Sequence, residues 1–382
     1  MGDRPLRLLI VLPSWVGDVV MATPAIRRIR EAMPGIFIGA LCRPGIDQLI
    51  SSQGEGSDLF DEVHVFVPHG MMATKKAAAK VRPRRYDTAL LLTNSFSTAL
   101  TTRIAFIPRR IGYERDGRGM LLTDKVVPPR NDDRSWQMVP AVDYYWNLAA
   151  HLLGEPGVDW SVHEPVDCVE MPLTLPDGVV MELPVSDADQ TKCDEILAKA
   201  GIGDGERFAV LNPGGNNEKK RWPAERFARL ADWLHDEHGM RVLLNGSPAE
   251  SELIETIRSE SSSDPVTGPV SLPALGNTLG ALKAICERAD IMVTNDTGPR
   301  HIAAAMGTKL VTMFGPTDPR WTTVPVRTLA DGRGSEVVLV ADPELPAHET
   351  ANDHPERCAI ERIEESRVRD AVSFLLNANF GD

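Results

Sequence analysis

The residues of this 382-residue chain best suited to chemistry lie in short loops that follow apolar runs. In "LPSWVGDVVMATPAI" one carboxylate, Asp18, directly follows Gly17 in a turn that also carries Ser14 and Trp15. Asp is a strong helix-capping residue, and capping alone would account for it. The alternative is a general base: a helix N-terminus favours the ionised carboxylate, which lets Asp18 take a proton at neutral pH while keeping it a weak base. A second stretch, "LNPGGNNEKKRWPAERF", offers Gly214 and Gly215 for close backbone approach, then Lys219, Lys220 and Arg221. Small residues followed by cations suit a phosphate; an exposed basic turn would look the same, and no GxxxxGK[ST] loop is present. A third, "VTNDTGPRHIAAAMG", ends a strand at Asn295-Asp296 and starts a helix at Thr297-Gly298, with His301 one turn in. Backbone N–H groups at such a start can hold diphosphate oxygens. Glu250, in "LLNGSPAESE", is a first-turn acid at another helix start.

These loops need a scaffold that places them together. Val/Ile/Leu-rich runs ("LRLLIVLP", "IFIGALC", "EVHVFVP", "YDTALLLTN") alternate with helical stretches in the first half. The series repeats with "RFAVLNPG", "MRVLLNG", "DIMVTND" and "KLVTMFGPT". Continuous apolar strands alternating with helices indicate parallel sheets covered on both faces, here two doubly wound α/β domains. In such sheets ligands bind beyond the carboxyl ends of the strands, which is where the four loops fall. The join is expected in the Pro- and acid-rich residues 164–189, giving domains 1–180 and 181–360 and a closing helix within 361–382.

Composition narrows the function. There is no GxGxxG after the first strand, no GxSxG elbow and no His/Asp set at metal spacing, so no metal or cofactor is expected. The five cysteines (Cys42, Cys168, Cys193, Cys286, Cys358) are scattered and odd in number, which argues against a disulfide framework. No apolar run approaches the roughly 20 residues of a membrane span, and "MGDRPLRLLIVLP" shows no secretory pattern, so a cytoplasmic monomer is expected. Net charge is −13, but residues 1–150 hold 20 Lys+Arg against 15 Asp+Glu, a net of +5. The remaining residues hold 21 against 39, a net of −18. A basic first half points to an anionic partner there. Few aromatics interleave with its cations, so nucleic acid is not that partner.

Taken together, "RLLIVLPSWVGDVVMATPAI", "NPGGNNEKKRWP" and "NDTGPRHIAAAMGTKLVTMFGPTDPRW" resemble glycosyltransferase family 9, the heptosyltransferases of lipopolysaccharide core assembly. Within it, the "PSWVGD" form is similar to the heptosyltransferase II branch. The resemblance implies a GT-B fold: two Rossmann-like domains facing across a cleft, acceptor on the first and ADP-heptose on the second, with the closing helix packing back on the first. It implies inverting, metal-independent transfer, with Asp18 as base. Lys220 would contact the diphosphate, although a one-residue shift would put Lys219 there instead. Thr297 and Gly298 would offer N–H groups to the diphosphate, Asp296 and His301 would face the heptose, and Glu250 would hold the ribose hydroxyls. Asn277 or Thr278 would lie at the adenine. Gly215 and Asn216 stand where relatives carry hydroxyl residues, so their phosphate contacts would be backbone only. The acceptor would be lipid A–Kdo–heptose at the inner face of the inner membrane, met by Ser14, Trp15 and Gly17. Arg82, Arg84, Arg85, Arg109 and Arg110 would hold its carboxylates and phosphates and associate peripherally with the anionic membrane surface. The alternatives are a transferase of the same family with another acceptor, like the heptosyltransferase I and III branches, or with another nucleotide-sugar donor, a nucleotide-sugar 2-epimerase, and a non-catalytic nucleotide-binding protein.

Overall fold

The computed structural model describes residues 6–50, 59–67, 72–163, 169–264, 266–345 and 356–381. Among the described residues twelve strands form two parallel six-stranded sheets, and the chain divides into two compact units: residues 1–164 with 172–186, and 165–171 with 187–382.

In unit 1 the strands are β1 (Arg7–Val11), β2 (Phe37–Cys42), β3 (Glu62–Val65), β4 (Thr88–Leu91), β5 (Arg109–Tyr113) and β6 (Asp124–Val126). Their spatial order is β3-β2-β1-β4-β5-β6. The intervening helices are α1 (Val16–Met21), α2 (Thr23–Ala32), α3 (Ile46–Ile50), α4 (Ala73–Val81), α5 (Phe96–Ile104) and α6 (Ala141–Leu153). Strands such as "RLLIV" and "FIGALC" are buried almost throughout, as a sheet covered on both faces requires. Helix α6 stops at Gly154, whose left-handed φ of 71° closes the last turn.

Unit 2 repeats the design with β7 (Phe208–Asn212), β8 (Arg241–Leu244), β9 (Val270–Ser271), β10 (Ile291–Asn295), β11 (Lys309–Phe314) and β12 (Glu336–Val340). Its spatial order, β12-β11-β10-β7-β8-β9, is that of unit 1 seen from the other edge. The helices are α7 (Asp187–Lys199), α8 (Ala224–His238), α9 (Ser251–Glu260), α10 (Leu279–Arg288), α11 (Gly298–Met306) and α12 (Glu365–Asn377). Both sheets therefore reverse strand order at one point: between β1 and β4 in unit 1, and between β7 and β10 in unit 2. Those reversals are where ligands of doubly wound folds bind.

The structure differs from the sequence reading in several places. The chain passes between units more than once, because 165–171 belongs with unit 2 and 172–186 with unit 1. The closing helix belongs to the core of unit 2. Val368, Ala371, Val372 and Leu375 of α12 join the core of unit 2 with Trp222, Phe227 and Leu230. The indole Nε1 of Trp222 donates to Ile363 O at 3.0 Å. Strands β5, β6, β9 and β12 also went unread. Two are only two or three residues long, and β5 opens on two arginines. Cys42, Cys193 and Cys286 are buried free thiols and Cys358 is buried; Cys168 lies outside the described residues.

Candidate active site

Asp18 follows the carboxyl end of β1, in the first turn of α1. It is not the cap: Trp15 holds that position, 66% exposed and without a side-chain capping bond. The carboxylate of Asp18 instead accepts a hydrogen bond from Tyr145 Oη of α6 at 2.9 Å. Burial raises its pKa above the ordinary value, and the Tyr145 bond only partly opposes this. The direction is opposite to the lowering expected of a carboxylate at a helix terminus, because desolvation outweighs the Tyr145 hydrogen bond. Gly17 is buried and Ser14 half-buried beside it.

The five arginines assigned to an anionic acceptor lie elsewhere. Arg82, Arg84 and Arg85 precede β4, while Arg109 and Arg110 begin β5, so all five sit at the amino edge of a parallel sheet whose carboxyl edge carries Asp18. Most of those guanidiniums serve the fold. Arg84 pairs with Glu62 at 2.7 Å and Arg109 with Asp124 at 3.2 Å. Arg110 donates to the carbonyls of Leu121, Ile107 and Pro108, and Arg82 to that of Ile104. The structure does not bring them together with Asp18.

Other cations do occupy the carboxyl edge of unit 1. Trp136 carries Arg115 on its ring at 4.1 Å and Arg130 at 3.9 Å. With Met120, 83% exposed, and Glu114, Asp116, Gly117 and Gly119, they line a cavity of about 360 Å³ beyond β5. Buried Arg118 ties this loop to the one after β4, donating to the carbonyl of Thr93 and to Asn94 Oδ1. Asn94 also meets Tyr144, the neighbour of Tyr145. The sequence reading missed all of these residues.

In unit 2 the loops after β7, β8, β10 and β11 converge. Lys220 Nζ donates to Asp296 Oδ2 at 2.9 Å, whereas Lys219 is exposed; geometry therefore selects Lys220 as the inward cation. Burial pushes Asp296 up, but Lys220, then Arg300 and His301, outweigh it and hold it below the ordinary carboxylate value. Helix α11 begins at Gly298 with no side-chain cap from Thr297; Pro299 carries no N–H and Arg300 N donates to Thr297 O at 3.1 Å, so a ligand there would meet the backbone N–H groups of Thr297 and Gly298. Burial and the neighbouring Arg300 bring His301 down to about 4, so its imidazole is neutral at pH 7. Its Nδ1 has no partner among the described residues.

Glu250 is not a bare first-turn acid. One oxygen accepts from Gly215 N at 2.6 Å and the other from Ser247 N and Oγ at 2.8 Å. Gly214 lies against it; a Cβ there would stand 2.2 Å from Glu250 Oε1. Asn216 is exposed beside this turn. Thr278 caps α10 by accepting from Ala281 N, and Asn277 donates to Asn245 Oδ1 at 3.3 Å. Asn245 in turn donates to Asn212, which donates to Thr294 and Thr297. This amide relay crosses the sheet edge. Two of its three amides stand where strands of the second half run into Asn, Asn212 in "LNPG" and Asn245 in "LLNG".

The sequence profile of glycosyltransferase family 9 (heptosyltransferase) matches residues 74–337. The chain belongs to that family. It is a glycosyltransferase enzyme with two Rossmann-like units of the GT-B class. Lipopolysaccharide heptosyltransferase 2 of Escherichia coli is 28% identical over 333 residues, covering 83% of this chain and 85% of that protein. Lipooligosaccharide heptosyltransferase 2 of Haemophilus influenzae is 27% identical over 371 residues, covering 94% and 99% respectively. The structure of E. coli ADP-heptose lps heptosyltransferase II superposes with a TM-score of 0.74 at 24% identity, covering 97% of this chain and 98% of that one. Among the described residues no group of three His, Cys, Asp or Glu is placed to hold a metal, and no helix is long and apolar enough to cross a membrane.

Proposed function

We propose that this enzyme transfers heptose from ADP-heptose to the inner-core heptose of a lipopolysaccharide acceptor, with inversion and without a metal. Unit 2 binds the nucleotide-sugar and unit 1 the acceptor. An acceptor hydroxyl oxygen bonds to the anomeric carbon as the bond from that carbon to the diphosphate oxygen breaks. The hydroxyl proton passes to Asp18. Its raised pKa suits that step better than an ordinary carboxylate would. Lys220 and the open N-terminus of α11 offset charge on the departing ADP. Glu250 holds the ribose hydroxyls and Asn277 lies at the base.

The observation that carries this reading is the pairing of Lys220 with Asp296 beside an uncapped helix start, at the point where the unit 2 sheet reverses. The family membership and the two heptosyltransferase 2 relatives support the choice of heptose and acceptor. The carboxyl-edge cations Arg115 and Arg130 support an anionic acceptor on unit 1, docked from the membrane surface by a monomeric, peripheral enzyme. Titration calorimetry with ADP, UDP and NAD, with EDTA present, tests the nucleotide half. Selective ADP binding that is lost in Lys220→Ala and kept in Asp18→Asn is the expected result. Preference for UDP or NAD, or indifference to Lys220, would leave the fold standing and the substrate wrong.

A further inference from the structure

Arg300 and Glu336 take no part in the chemistry above, yet they form a buried ion pair directly behind Asp296. Arg300 is the third residue of α11, and its guanidinium is divided among three neighbours. Nε and Nη2 donate to Glu336 Oε1 and Oε2 at 2.7 and 2.9 Å. Nη1 donates to Thr322 O at 2.9 Å and lies 3.9 Å from Asp296 Oδ1. Glu336 is itself fixed by Thr312 Oγ1 at 2.5 Å. Two cations therefore share one carboxylate. Arg300 is locked from behind, while Lys220 takes the other oxygen from a half-buried, flexible stem.

We propose that Arg300 is a positioning residue that keeps Asp296 charged and in place while Lys220 leaves it for the diphosphate of the bound nucleotide. The inference rests on the nucleotide site assigned to unit 2. If Lys220 were the sole partner, its transfer to the diphosphate would strand a buried carboxylate beside an incoming anion. That is among the most unfavourable arrangements a protein interior can hold. Arg300 cannot follow Lys220 to the ligand, because its bidentate bond to Glu336 and its contact with the Thr322 carbonyl hold it in place. The groups facing Asp296 are few: Lys220 from the β7 loop, Thr317 Oγ1 at 3.5 Å from the β11 loop, and Arg300 and His301 from α11. Glu336 and Glu170 also face Arg300, and with Asp296 they hold its guanidinium protonated against burial. His301 is neutral at pH 7, so Arg300 is the one cation left on Asp296 among these groups once Lys220 departs.

The test is calorimetric titration of the full chain with ADP at pH 8, in two buffers of different ionisation enthalpy. Wild type binds ADP without net proton uptake. In Arg300→Met, Asp296 must take a proton as Lys220 leaves, so ADP binding shows proton uptake and is weaker by about 10⁴-fold, the cost of protonating at pH 8 a carboxyl whose ordinary pKa is about 3.9. The paired variant Arg300→Met/Glu336→Met removes the buried Glu336 charge and gives the same result if the single variant folds poorly. Adding Asp296→Asn abolishes the uptake; uptake that persists would place the proton on His301 and overturn the proposal. Unchanged affinity with no uptake in Arg300→Met overturns it too. Asp296→Asn alone frees Lys220 in advance and leaves ADP affinity equal or higher, so a tenfold loss there counts against the exchange. If wild type binds no ADP, the nucleotide reading itself fails. If binding depends on Lys220 but not on Arg300, only this inference falls.

Discussion

Tyr145 Oη donates to Asp18 Oδ1 at 2.9 Å, and this bond ties the turn after β1 to the side of α6. It sets how basic the carboxylate is, because a donor to the ionised form opposes the burial that raises its pKa. It also orients the carboxylate, since it engages one of the two oxygens.

Tyr145→Phe removes the opposing donor, so the pKa of Asp18 rises further. A base must be ionised to act, and activity falls as pH drops through that pKa. The acidic limb of the kcat/KM profile therefore moves to higher pH in the variant, while the rate on the alkaline plateau changes less. The measurement is the pH profile of heptosyl transfer; a limb that stays in place would detach Tyr145 from the chemistry.

Asp18→Asn should cut turnover by about 10²- to 10⁴-fold, the span of general base catalysis, and leave ADP affinity unchanged. Its effect on stability has the opposite sign. A carboxyl whose folded pKa is raised binds protons more tightly when folded, so its contribution to stability falls as pH climbs from the unfolded pKa through the folded one. At neutral pH the wild type carries that penalty and Asn does not, so the variant melts at a higher temperature. The gain shrinks below the unfolded value of 3.8, where the wild-type carboxyl is protonated in both states. Thermal melts across pH check this, and a variant less stable than wild type at pH 7 would contradict it.

The two edges of the unit 1 sheet separate two readings of its arginines. Arg84 and Arg109 are paired at the amino edge, whereas Arg115 and Arg130 stack on Trp136 at the carboxyl edge. Exposed ion pairs contribute little, so Arg84→Ala and Arg109→Ala should change stability little and leave the acceptor KM within about twofold. Arg130→Ala should raise the acceptor KM about tenfold, the scale of one lost charged hydrogen bond, with ADP affinity intact. Steady-state kinetics with the two substrates varied separately decide between the edges.

Much of this was legible in the chain because continuous apolar strands announce a parallel sheet, and a parallel sheet announces where its loops converge. The loops holding Asp18, Lys220, Glu250 and Asp296 were all found by that logic. What was not legible depended on contacts between distant segments. Tyr145 lies 127 residues from Asp18 and sits inside an aromatic helix run with no pattern of its own. Arg300 reads as an ordinary helix-start cation until Glu336 is folded behind it. The arginines of residues 82–110 were misplaced for a related reason: charge density is visible in sequence, but the sheet edge it occupies is not, and β5 was hidden by opening on two of them. Desolvation was the other blind spot, since the sequence showed Asp18 at a helix start but not how deeply the site buries it.

Gly214 gives the last prediction. Its Cα lies so close to Glu250 that an added methyl would overlap Oε1 at 2.2 Å and Cδ at 2.5 Å. Glu250 cannot simply retreat, because its two oxygens are held by Gly215 N and by Ser247. Those bonds also hold its carboxylate below the ordinary pKa against the burial that would raise it, so the group is a charged brace joining the loops after β7 and β8. Gly214→Ala must break the brace or shift the β7 loop, and overpacking of this kind costs about 1–3 kcal/mol. Because the β7 loop also carries Lys220, ADP affinity should fall together with stability. Glu250→Gln keeps the shape but weakens the bonds to Gly215 and Ser247, and should lose less of both. Denaturant melts and ADP titrations on the two variants test the idea, and a Gly214→Ala protein that is as stable as wild type and binds ADP as tightly would show that the loop adapts freely.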